Sequence, residues 1–504
     1  MPRSPAGKIC IVIGEANPAQ LEEAILKATP EANYLELRLD CLKASDLTAS
    51  NFKKWVRLTE VPVIATLRRK ANGGQFTGSE AEQVEILKAA LEANVAFLDV
   101  EIETIENYLH GEVALLKKAP TRLIVSYHNF EETPLSLESI YERLLQIRPD
   151  VLKVATLAHS FSDNFRLLEL IEKTRQQNLS IISVAMGELG VYSRIVAPSR
   201  GALLTYGSMG NSQATAPGQL SAHDLRLVYA LDEINEQTRF YGVIGYPVGH
   251  SLSPQIHNAA FRERGLNARY LPLAIQDLQD FGPHLKRFAG FSITIPHKVA
   301  ILSYVDRLDS TVKMTGAANT LVRQGDDLWA YNTDVYGIRY ALRKPLEEGI
   351  HQTTLLGAGG AARSAAIVLK ESHCQVTVLG RDPEKTRRFA SEFGFAYDSL
   401  SQAPKYRGEL LINATPLGMS PGTEQTPLQD HAIHYRWVFD MVYNPLETRL
   451  MRQSKGKALV ISGLEMFVAQ AAKQFELWTG LEPPRDSMRK IALEKLNASN
   501  RSAS

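Results

Sequence analysis

Eight short runs rich in β-branched residues alternate with segments of helical spacing in the first half of the chain. The runs cover residues 8–14, 34–40, 62–68, 96–102, 122–128, 151–157, 180–186 and 202–208. The segment AEQVEILKAALEAN, at 81–94, is typical of the stretches between them. Eight strands that alternate with helices over roughly 220 residues predict a (β/α)8 barrel.

Charged and polar side chains stand at the ends of many of these runs. The C-terminal ends of the strands in such a barrel form one mouth, where catalytic groups lie. We therefore expect six side chains to converge there, namely Glu36, Arg38, Arg68, Glu101, His128 and Lys153. The pattern predicts that the chain begins with an enzyme.

Composition narrows the class of protein. The 504 residues suffice for two to four domains, and 56 basic against 55 acidic side chains favour a small metabolite over nucleic acid or a membrane surface as partner. Cys10, Cys41 and Cys374 are too scattered for a disulfide framework or a metal site. The short N-terminal apolar run and the lack of a spanning segment predict a soluble cytoplasmic protein. The sequence leaves the oligomeric state open, a monomer included.

The composition changes after the eighth run. Residues 222–237 predict one amphipathic helix that closes the barrel, followed by a domain boundary near residue 238. Residues 353–382 predict a strand, a glycine loop, a helix and a strand, which is one unit of a doubly wound sheet. An apolar-faced helix is expected over 466–480, and a frayed tail over 497–504.

Lys153 interrupts the apolar run VLKVATL, where an ammonium group is costly to bury. Either its stem reaches solvent or its pKa falls. A lysine with a lowered pKa is a Schiff-base nucleophile, and cations at Arg38, Arg68 and Arg194 would favour that state. We predict the nucleophile.

His128 is either a structural histidine or, beside a strand-end lysine, a catalytic base, which we favour. Glu101 either orients the histidine ring or is a solvated residue of the barrel rim. Glu36 and Arg38 are two residues apart in a strand and point the same way. They either form an ion pair that holds the mouth together or bind substrate.

Seven motifs across the first half carry a family resemblance: ELRLD, TLR, DVE, SYHNF, LKVA, MGELGVYSR and ATAPGQ. Together they resemble the type I 3-dehydroquinate dehydratases. The resemblance implies that Lys153 forms an imine with the substrate ketone, and that His128 moves the C2 proton and assists loss of the C1 hydroxyl. It places Glu101 behind His128. It also implies that Arg194 grips the carboxylate and that the hydroxyls are bound by Glu36, Arg38, Arg68, Thr215 and Gln219.

Two polar clusters distinguish the second half. Ser251 and Ser253 lie on one side of an extended segment, able to bond a polyol or a carboxylate, although Ser253 before Pro254 also fits a helix N-cap. Lys298 and Asp334, taken separately, are a surface lysine and an N-cap. Near one cleft they would relay the proton that accompanies hydride transfer.

Further motifs resemble shikimate dehydrogenase: HSLSPQIHN, SITIPHK, GAANT, NTDVYG, GAGGAAR, NATPLGM, DMVYNP and GLEMFVAQA. The resemblance covers nearly all of 240–480 and implies that Lys298 and Asp334 are the catalytic pair. It implies substrate contacts from Ser251, Ser253, Thr294, Asn319, Tyr443 and Gln470.

The loop that begins at Gly357 reads GxGxxA between a strand and a helix, so its N–H groups can meet a pyrophosphate, with tight packing as the alternative. Arg381 stands where an acidic residue would select NAD, which favours NADP. We interpret Asp382 as a helix N-cap, and Arg387 and Arg388 as a solvated helix face. The expected cofactor residues are Gly357, Ala358, Gly359, Gly360, Ala361, Arg381, Lys385, Thr415 and Gly463.

These resemblances predict an α/β protein with a (β/α)8 barrel over 1–237 and a two-lobed dehydrogenase after it. The substrate-binding lobe spans 238–345, completed by helices within 466–498, and the Rossmann-type NADP-binding domain spans 346–465. The two halves would take 3-dehydroquinate through 3-dehydroshikimate to shikimate, in aromatic amino acid biosynthesis. Two alternatives are a second half that prefers quinate and a non-catalytic sensor built from the same domains.

Overall fold

The computed structural model describes five stretches of the chain, namely residues 8–110, 113–210, 218–249, 251–428 and 433–502. Packing divides the chain into two compact units. The first comprises Met1–Thr238 and Leu271–Phe281, and the second Arg239–Tyr270 and Gly282–Ser504. No helix among the described residues is both long and apolar enough to cross a bilayer.

The first unit contains a nearly closed parallel barrel. Its strands are β1 (Ile9–Ile13), β2 (Tyr34–Arg38), β3 (Val63–Thr66), β4 (Phe97–Glu101), β5 (Arg122–Asn129), β6 (Val151–Leu157), β7 (Ile181–Met186) and β8 (Thr205–Gly207). They pair in the order β7-β6-β5-β4-β3-β2-β1-β8, and at the seam the Leu203 N–H donates to the Ile181 carbonyl at 2.8 Å. Each predicted run contains one strand, so the predicted barrel is confirmed.

Seven helices accompany these strands: α1 (Pro18–Ala28), α2 (Ala49–Arg57), α3 (Glu80–Glu92), α4 (Ile102–Asn107), α5 (Leu137–Ile147), α6 (Ser162–Gln176) and α7 (Val191–Arg200). The start of α3 shows how local chemistry sets such a boundary. Ser79 accepts from the Glu82 N–H while the Glu82 carboxylate accepts from the Ser79 N–H, which forms a capping box.

Alternation along the strands divides the barrel interior into two levels. Phe97 and Val151 belong to a buried apolar cluster that fills the barrel at the beginning of β4 and β6. Asp99 and Glu101 follow Phe97 by two and four residues on the same face of β4. Lys153 follows Val151 by two residues on the same face of β6. The apolar level supports the charged one, which therefore lies at the C-terminal ends of the strands.

The single helix predicted over 222–237 is wrong. The structure has a π-helical turn at Asp224–Val228 and a 3-10 turn at Leu231–Glu233. Ala230 separates them in the left-handed region, at φ 44°, which a continuous helix cannot accommodate. Leu225 and Val228 are buried, so the amphipathic pattern identified the packed face but not the backbone conformation.

The chain continues into a six-stranded mixed sheet. Its strands are β9 (Arg239–Gly245), β10 (Ala268–Ala274), β11 (Gly290–Ile293), β12 (Arg307–Leu308), β13 (Thr320–Gln324) and β14 (Asp327–Tyr331), in the order β10-β9-β11-β13-β14-β12. A second six-stranded sheet is wholly parallel. Its strands are β15 (Gln352–Leu356), β16 (Gln375–Gly380), β17 (Ala396–Ser399), β18 (Gly408–Asn413), β19 (Tyr435–Asp440) and β20 (Leu459–Ser462).

The parallel sheet has the order β17-β16-β15-β18-β19-β20, which is that of a doubly wound dinucleotide-binding fold. The predicted Rossmann-type architecture is therefore confirmed. The helices of this half are α8 (Ser253–Glu263), α9 (Leu278–Phe281), α10 (Ser310–Thr315), α11 (Thr333–Ala341), α12 (Arg343–Glu347), α13 (Gly360–Glu371), α14 (Pro383–Phe393), α15 (Arg449–Ser454), α16 (Gly463–Thr479) and α17 (Arg485–Ser502). Because α17 continues to Ser502, the predicted frayed tail is helical over most of its length.

Candidate active sites

A cleft opens at the C-terminal ends of the barrel strands. It brings together most of the side chains predicted for the first half. Those that line it are Glu36, Arg38, Arg68, His128, Lys153, Arg194 and Gln219. Glu101 is buried and contacts Arg68, whereas Thr215 lies outside the described residues.

Lys153 is only 3% exposed, so the alternative of a lysine that reaches solvent is wrong. Its Nζ donates to Asp99 Oδ2 at 2.7 Å and to Glu36 Oε1 at 3.3 Å. The same atom lies 4.6 Å from the centroid of the Tyr206 ring, within the range of a cation–π contact. The amine is therefore held at the cleft by two carboxylates and an aromatic face.

Asp99 is the site residue that the sequence reasoning missed. It accepts from both Lys153 and Arg68, the latter at 3.1 Å to each carboxylate oxygen, and from Ser126 Oγ at 2.6 Å. Burial alone would raise its pKa, but Arg68 and Lys153 hold that pKa well below the usual value for aspartate. The signal was available, since Asp99 stands two residues before Glu101 and faces the same side of β4.

Arg68 connects the buried acids to His128. Its Nη1 donates to Glu101 Oε1 at 3.2 Å, to Ser126 Oγ at 3.0 Å and to His128 Nδ1 at 3.2 Å. Because a guanidinium group can only donate, Nδ1 is the acceptor and a neutral His128 ring carries its proton on Nε2. Burial, with the positive charges of Arg68 and Lys153, lowers the pKa of His128 well below 6.5, so the ring is neutral at neutral pH.

Glu101 is 1% exposed, which excludes the alternative of a solvated rim residue. Its carboxylate also accepts from the Arg69 N–H at 3.1 Å and from Gln83 Nε2 at 2.7 Å. Among the described residues, no direct hydrogen bond joins it to His128. Arg68 thus bridges Glu101 and the His128 ring.

Arg38 pairs with Asp40, through bonds of 2.9 and 2.8 Å, and Glu36 pairs with Lys153. The ion pair that we considered between Glu36 and Arg38 is therefore wrong, because each side chain has a nearer partner of opposite charge. Arg194, on α7, is 2% exposed, and burial lowers its pKa to about 10.

The second unit holds Lys298 and Asp334 in one ion pair, with Nζ 2.5 Å from Oδ2. Asn319 Nδ2 donates to the other carboxylate oxygen at 2.8 Å and lies 3.4 Å from Gln470 Oε1. The side chain that caps α11 is that of Asn332, which accepts from the Asp334 N–H. The alternative of an N-cap aspartate is therefore wrong, and Lys298, whose side chain is 26% exposed, pairs with Asp334.

Ser253 is the first residue of α8, and no side chain caps that helix. The N-cap alternative for Ser253 is therefore wrong, and Ser251 Oγ accepts from its N–H at 3.3 Å. Thr294 directly follows β11, whose last residue, Ile293, donates its N–H to the Asn319 carbonyl at 2.7 Å. Two of the predicted substrate residues, Thr294 and Asn319, thus lie side by side at the strand ends.

The glycine loop after β15 fits a dinucleotide. Gly357 has φ 104°, and a Cβ there would lie 3.1 Å from the Ala414 carbonyl oxygen, so this turn requires glycine. Gly359 and Gly360 begin α13, and a Cβ at either would face open space. The helix N-terminus is thus left uncovered, where its N–H groups and dipole suit a phosphate.

The basic residues after β16 differ in whether they have an acidic partner. Arg381 is exposed in a cleft and has no carboxylate partner among the described residues, whereas Arg387 pairs with Glu384 on the exposed face of α14. Asp382 caps α14 by accepting from the Lys385 N–H at 3.0 Å, as predicted. The remaining predicted residues of this half are placed as follows: Thr415 just after β18, Gly463 at the start of α16, and Tyr443 stacked on Phe467.

Comparison with known protein families matches three parts of the chain. Residues 9–236 match type I 3-dehydroquinase, residues 243–321 the shikimate dehydrogenase substrate binding domain, and residues 463–493 the shikimate 5'-dehydrogenase C-terminal domain. The shikimate dehydrogenase (NADP(+)) of Bacillus subtilis is 37% identical over 51% of this chain and 98% of its own length. A crystal structure of the Thermus thermophilus shikimate 5-dehydrogenase with NADP(H) and shikimate is 33% identical over 51% of this chain and 99% of that chain, with a TM-score of 0.46.

The matches also include a relative that spans both units. The bifunctional 3-dehydroquinate dehydratase/shikimate dehydrogenase of Arabidopsis thaliana, described as chloroplastic, is 35% identical over 480 residues, which are 90% of this chain and 79% of the relative. The chain therefore belongs to the family of bifunctional 3-dehydroquinate dehydratase/shikimate dehydrogenases.

Proposed function

We propose that this chain catalyses two consecutive steps of the shikimate pathway. The barrel dehydrates 3-dehydroquinate to 3-dehydroshikimate through a Schiff base, and the second unit reduces 3-dehydroshikimate to shikimate with NADPH. The observation that carries this proposal is the buried Lys153, held by two carboxylates at the barrel mouth. The assembled charges around it argue against a non-catalytic sensor.

In the barrel, the Lys153 ammonium group and the substrate ketone yield a protonated imine and one water molecule, with no net change of charge. The iminium group withdraws electrons from the adjacent carbon, so that the neutral His128 can remove the C2 proton. The protonated ring then donates to the departing C1 hydroxyl, which leaves as water. Hydrolysis of the protonated product imine consumes one water molecule and restores the Lys153 ammonium group.

His128 must first be released from Arg68. In the free protein, Arg68 occupies Nδ1, so the ring has no lone pair available to accept a proton. Substrate oxygens that draw the Arg68 Nη1 away from the ring would free Nδ1. The proposed role of Arg68 as a substrate ligand is therefore coupled to the activation of the base.

In the second unit, NADPH held at the glycine loop of Gly357 would supply a hydride for the carbonyl carbon. Lys298 and Asp334 supply the proton that the carbonyl oxygen gains, so the carbonyl group becomes an alcohol. Asn319 bonds one carboxylate oxygen of Asp334 and leaves the other for Lys298, which keeps the pair aligned. A proton can pass along this pair only while both side chains stay in contact.

The remaining assignments are part of the same proposal. For 3-dehydroquinate we assign contacts to Glu36, Arg38, Arg68, Arg194, Thr215 and Gln219, with Glu101 positioning His128 through Arg68. For shikimate we assign Ser251, Ser253, Thr294, Asn319, Tyr443 and Gln470. For the dinucleotide we assign Gly357, Ala358, Gly359, Gly360, Ala361, Arg381, Lys385, Thr415 and Gly463.

The domain limits and the cellular location are also proposals. Residues 1–237 would form the dehydratase, 238–345 with 466–498 the substrate-binding lobe, and 346–465 the NADP-binding domain. The boundaries near residues 345 and 465 are supported by the two sheets, because the strands of the mixed sheet end at Tyr331 and those of the parallel sheet run from Gln352 to Ser462. A cytoplasmic location is supported by three free cysteines, which suit a reducing compartment.

Incubation of the full chain with 3-dehydroquinate and NADPH tests the proposal. We expect 3-dehydroshikimate and then shikimate, with oxidation of one NADPH for each shikimate formed. Oxidation of quinate, measured with NADP in a separate assay, tests the quinate alternative. Absence of both 3-dehydroshikimate and shikimate would refute the dehydratase assignment, and accumulation of 3-dehydroshikimate without shikimate would refute the dehydrogenase assignment.

A further inference from the structure

Asp440 is a fully buried carboxylate at the end of β19, outside the residues assigned above. Its Oδ1 accepts from Asn413 Nδ2 at 2.9 Å and from the Val442 N–H at 3.1 Å. Its Oδ2 accepts from Thr448 Oγ1 at 2.5 Å. Among the described residues, no lysine or arginine pairs with it. Three neutral donors from three segments thus converge on one acid.

The bonds continue from Asp440 to two turns. Asn413 Oδ1 accepts from the Thr415 N–H at 3.1 Å and from Thr415 Oγ1 at 2.6 Å, which shapes the turn after β18. On the other side, Thr448 Oγ1 caps α15 by accepting from the Met451 N–H. The Asp440 carboxylate, which can only accept hydrogen bonds, therefore links the turn after β18 to the start of α15.

The turn after β18 borders the glycine loop. In the sheet register, Asp440 is the partner of Asn413, and Asn413 is the partner of Leu356, the residue before Gly357. A Cβ on Gly357 would lie 3.1 Å from the Ala414 carbonyl oxygen, so the glycine loop and the turn after β18 are in close contact. A shift of that turn would therefore move a wall of the cofactor site.

The uncompensated burial of this acid has an electrostatic consequence. Burial raises the pKa of Asp440 to about 6, with the bonds from Thr448, Val442 and Asn413 acting in the opposite direction. Burying a carboxylate without a cationic partner costs free energy, because the group loses its hydration. Its advantage is geometric, because no amide or hydroxyl of similar size offers only acceptors to all three donors.

We propose that Asp440 is a positioning residue for the dehydrogenase, which holds the turn after β18 and the start of α15 in the geometry that binds the dinucleotide. The inference rests on the proposed assignment of Gly357 and Thr415 to NADPH. Its effect falls on cofactor affinity, since Asp440 contacts neither Lys298 nor Asp334 among the described residues.

The test compares Asp440→Ala and Asp440→Asn in the full chain, with Kd for NADPH measured by fluorescence titration. Asp440→Ala should raise Kd and the KM for NADPH about tenfold, the equivalent of one hydrogen bond to a charged group, with kcat at saturation nearly unchanged. Asp440→Asn keeps two acceptor bonds and can donate to Thr448, so it should restore most of the affinity. Equal Kd for Asp440→Ala and the parent would overturn the inference.

Glu409→Ala is the matched control. Glu409 lies on β18, at the opposite end of the sheet from Asn413, and accepts from the N–H groups of His351 and Gln352. Its loss removes a comparable set of bonds from the same sheet but should leave Kd for NADPH unchanged. An equal weakening by Glu409→Ala would indicate a general structural effect and overturn the inference.

Two further measurements separate the possible failures. Thr448→Val removes one donor to Asp440 at nearly unchanged side-chain volume, so it should weaken NADPH binding by a smaller factor than Asp440→Ala, and parent affinity in this variant would count against the inference. If the parent itself binds no NADPH, the proposed function fails instead. Dehydration by the barrel, measured in every variant, should stay constant.

Discussion

The two candidate active sites hold their charged groups in opposite ways. In the barrel, the side chains of Arg68 and Lys153 are each 4% exposed and that of Asp99 is fully buried. In the second unit, the side chain of Lys298 is 26% exposed and that of Asp334 11%. Charges removed from water need partners inside the protein, whereas the partly exposed Lys298 retains some contact with solvent.

This difference in burial predicts that stability and catalysis are coupled in one site and separate in the other. The barrel site is a network of complementary charges that is complete before any ligand arrives, so its geometry and its stability depend on the same residues. In the dehydrogenase site, Asp334 is bonded by Lys298 and Asn319, and Lys298 keeps part of its side chain in solvent. Single substitutions should therefore affect folding and chemistry together in the barrel, but chemistry or cofactor binding alone in the second unit.

The largest effect is expected at the imine-forming lysine. Lys153→Ala should abolish both dehydration and the covalent adduct that borohydride traps between the barrel and its ketone ligand, because no other lysine lines the cleft in the part of the chain that the structure describes. Mass spectrometry of the trapped protein measures the adduct. Lys173→Ala, which removes a lysine exposed on α6, should trap normally. Dehydration that persists in Lys153→Ala would disprove the imine mechanism.

The second expectation concerns independence of the two sites. Lys298→Ala should reduce the rate of 3-dehydroshikimate reduction about 10²- to 10⁴-fold, which is the usual contribution of general acid–base catalysis. Dehydration should be spared, because Lys298 belongs to the other unit. Lys313→Ala, on the exposed side of α10, serves as the control. A parallel loss of both activities in folded protein would mean that the sites are coupled.

Asp99→Asn tests whether the buried charges of the barrel site contribute to its stability. Removing one partner from a buried charge network should lower the free energy of unfolding of the barrel by about 3–5 kcal/mol and impair dehydration. Because the pKa of Asp99 is depressed, this stabilisation is present at neutral pH and is lost as the pH falls below about 3.9. Denaturant unfolding at pH 7 measures the change.

Glu138→Gln is the control for that comparison, since it breaks an exposed ion pair with Lys173 in the same unit. We expect no measurable change in the unfolding free energy for this variant. If Asp99→Asn also left the free energy of unfolding unchanged, the barrel network would contribute little to stability. The proposed contrast between the two sites would then be disproved.

The smallest expected effect is on cofactor choice. Arg381→Ala should weaken NADPH binding about ten- to a hundredfold and NADH binding much less, because only NADPH presents a 2′-phosphate to the guanidinium group. Kinetics with both cofactors give the ratio, and Arg387→Ala, already paired with Glu384, should leave it unchanged. Equal loss with both cofactors would assign Arg381 to the solvated surface.

Much of the fold was predictable because its signals are local. The eight strand runs and the glycine loop of Gly357 depend on residue types within a few positions of one another. Local signals failed at residues 222–237, where the pattern of buried residues was right but Ala230 turned the backbone away from a helix. They failed again at Ser253, whose expected cap is absent from α8.

The sequence by itself determined the architecture and the chemistry-bearing residues, since strand periodicity, turn glycines and family motifs are all present in it. Only the tertiary structure decided which charges pair. Lys153 meets Glu36 across 117 positions of the chain, and Asp99 becomes the common partner of Lys153 and Arg68. Such pairings depend on distances between separate strands, and Coulomb energies in a buried site change too steeply with distance and burial to follow from residue order.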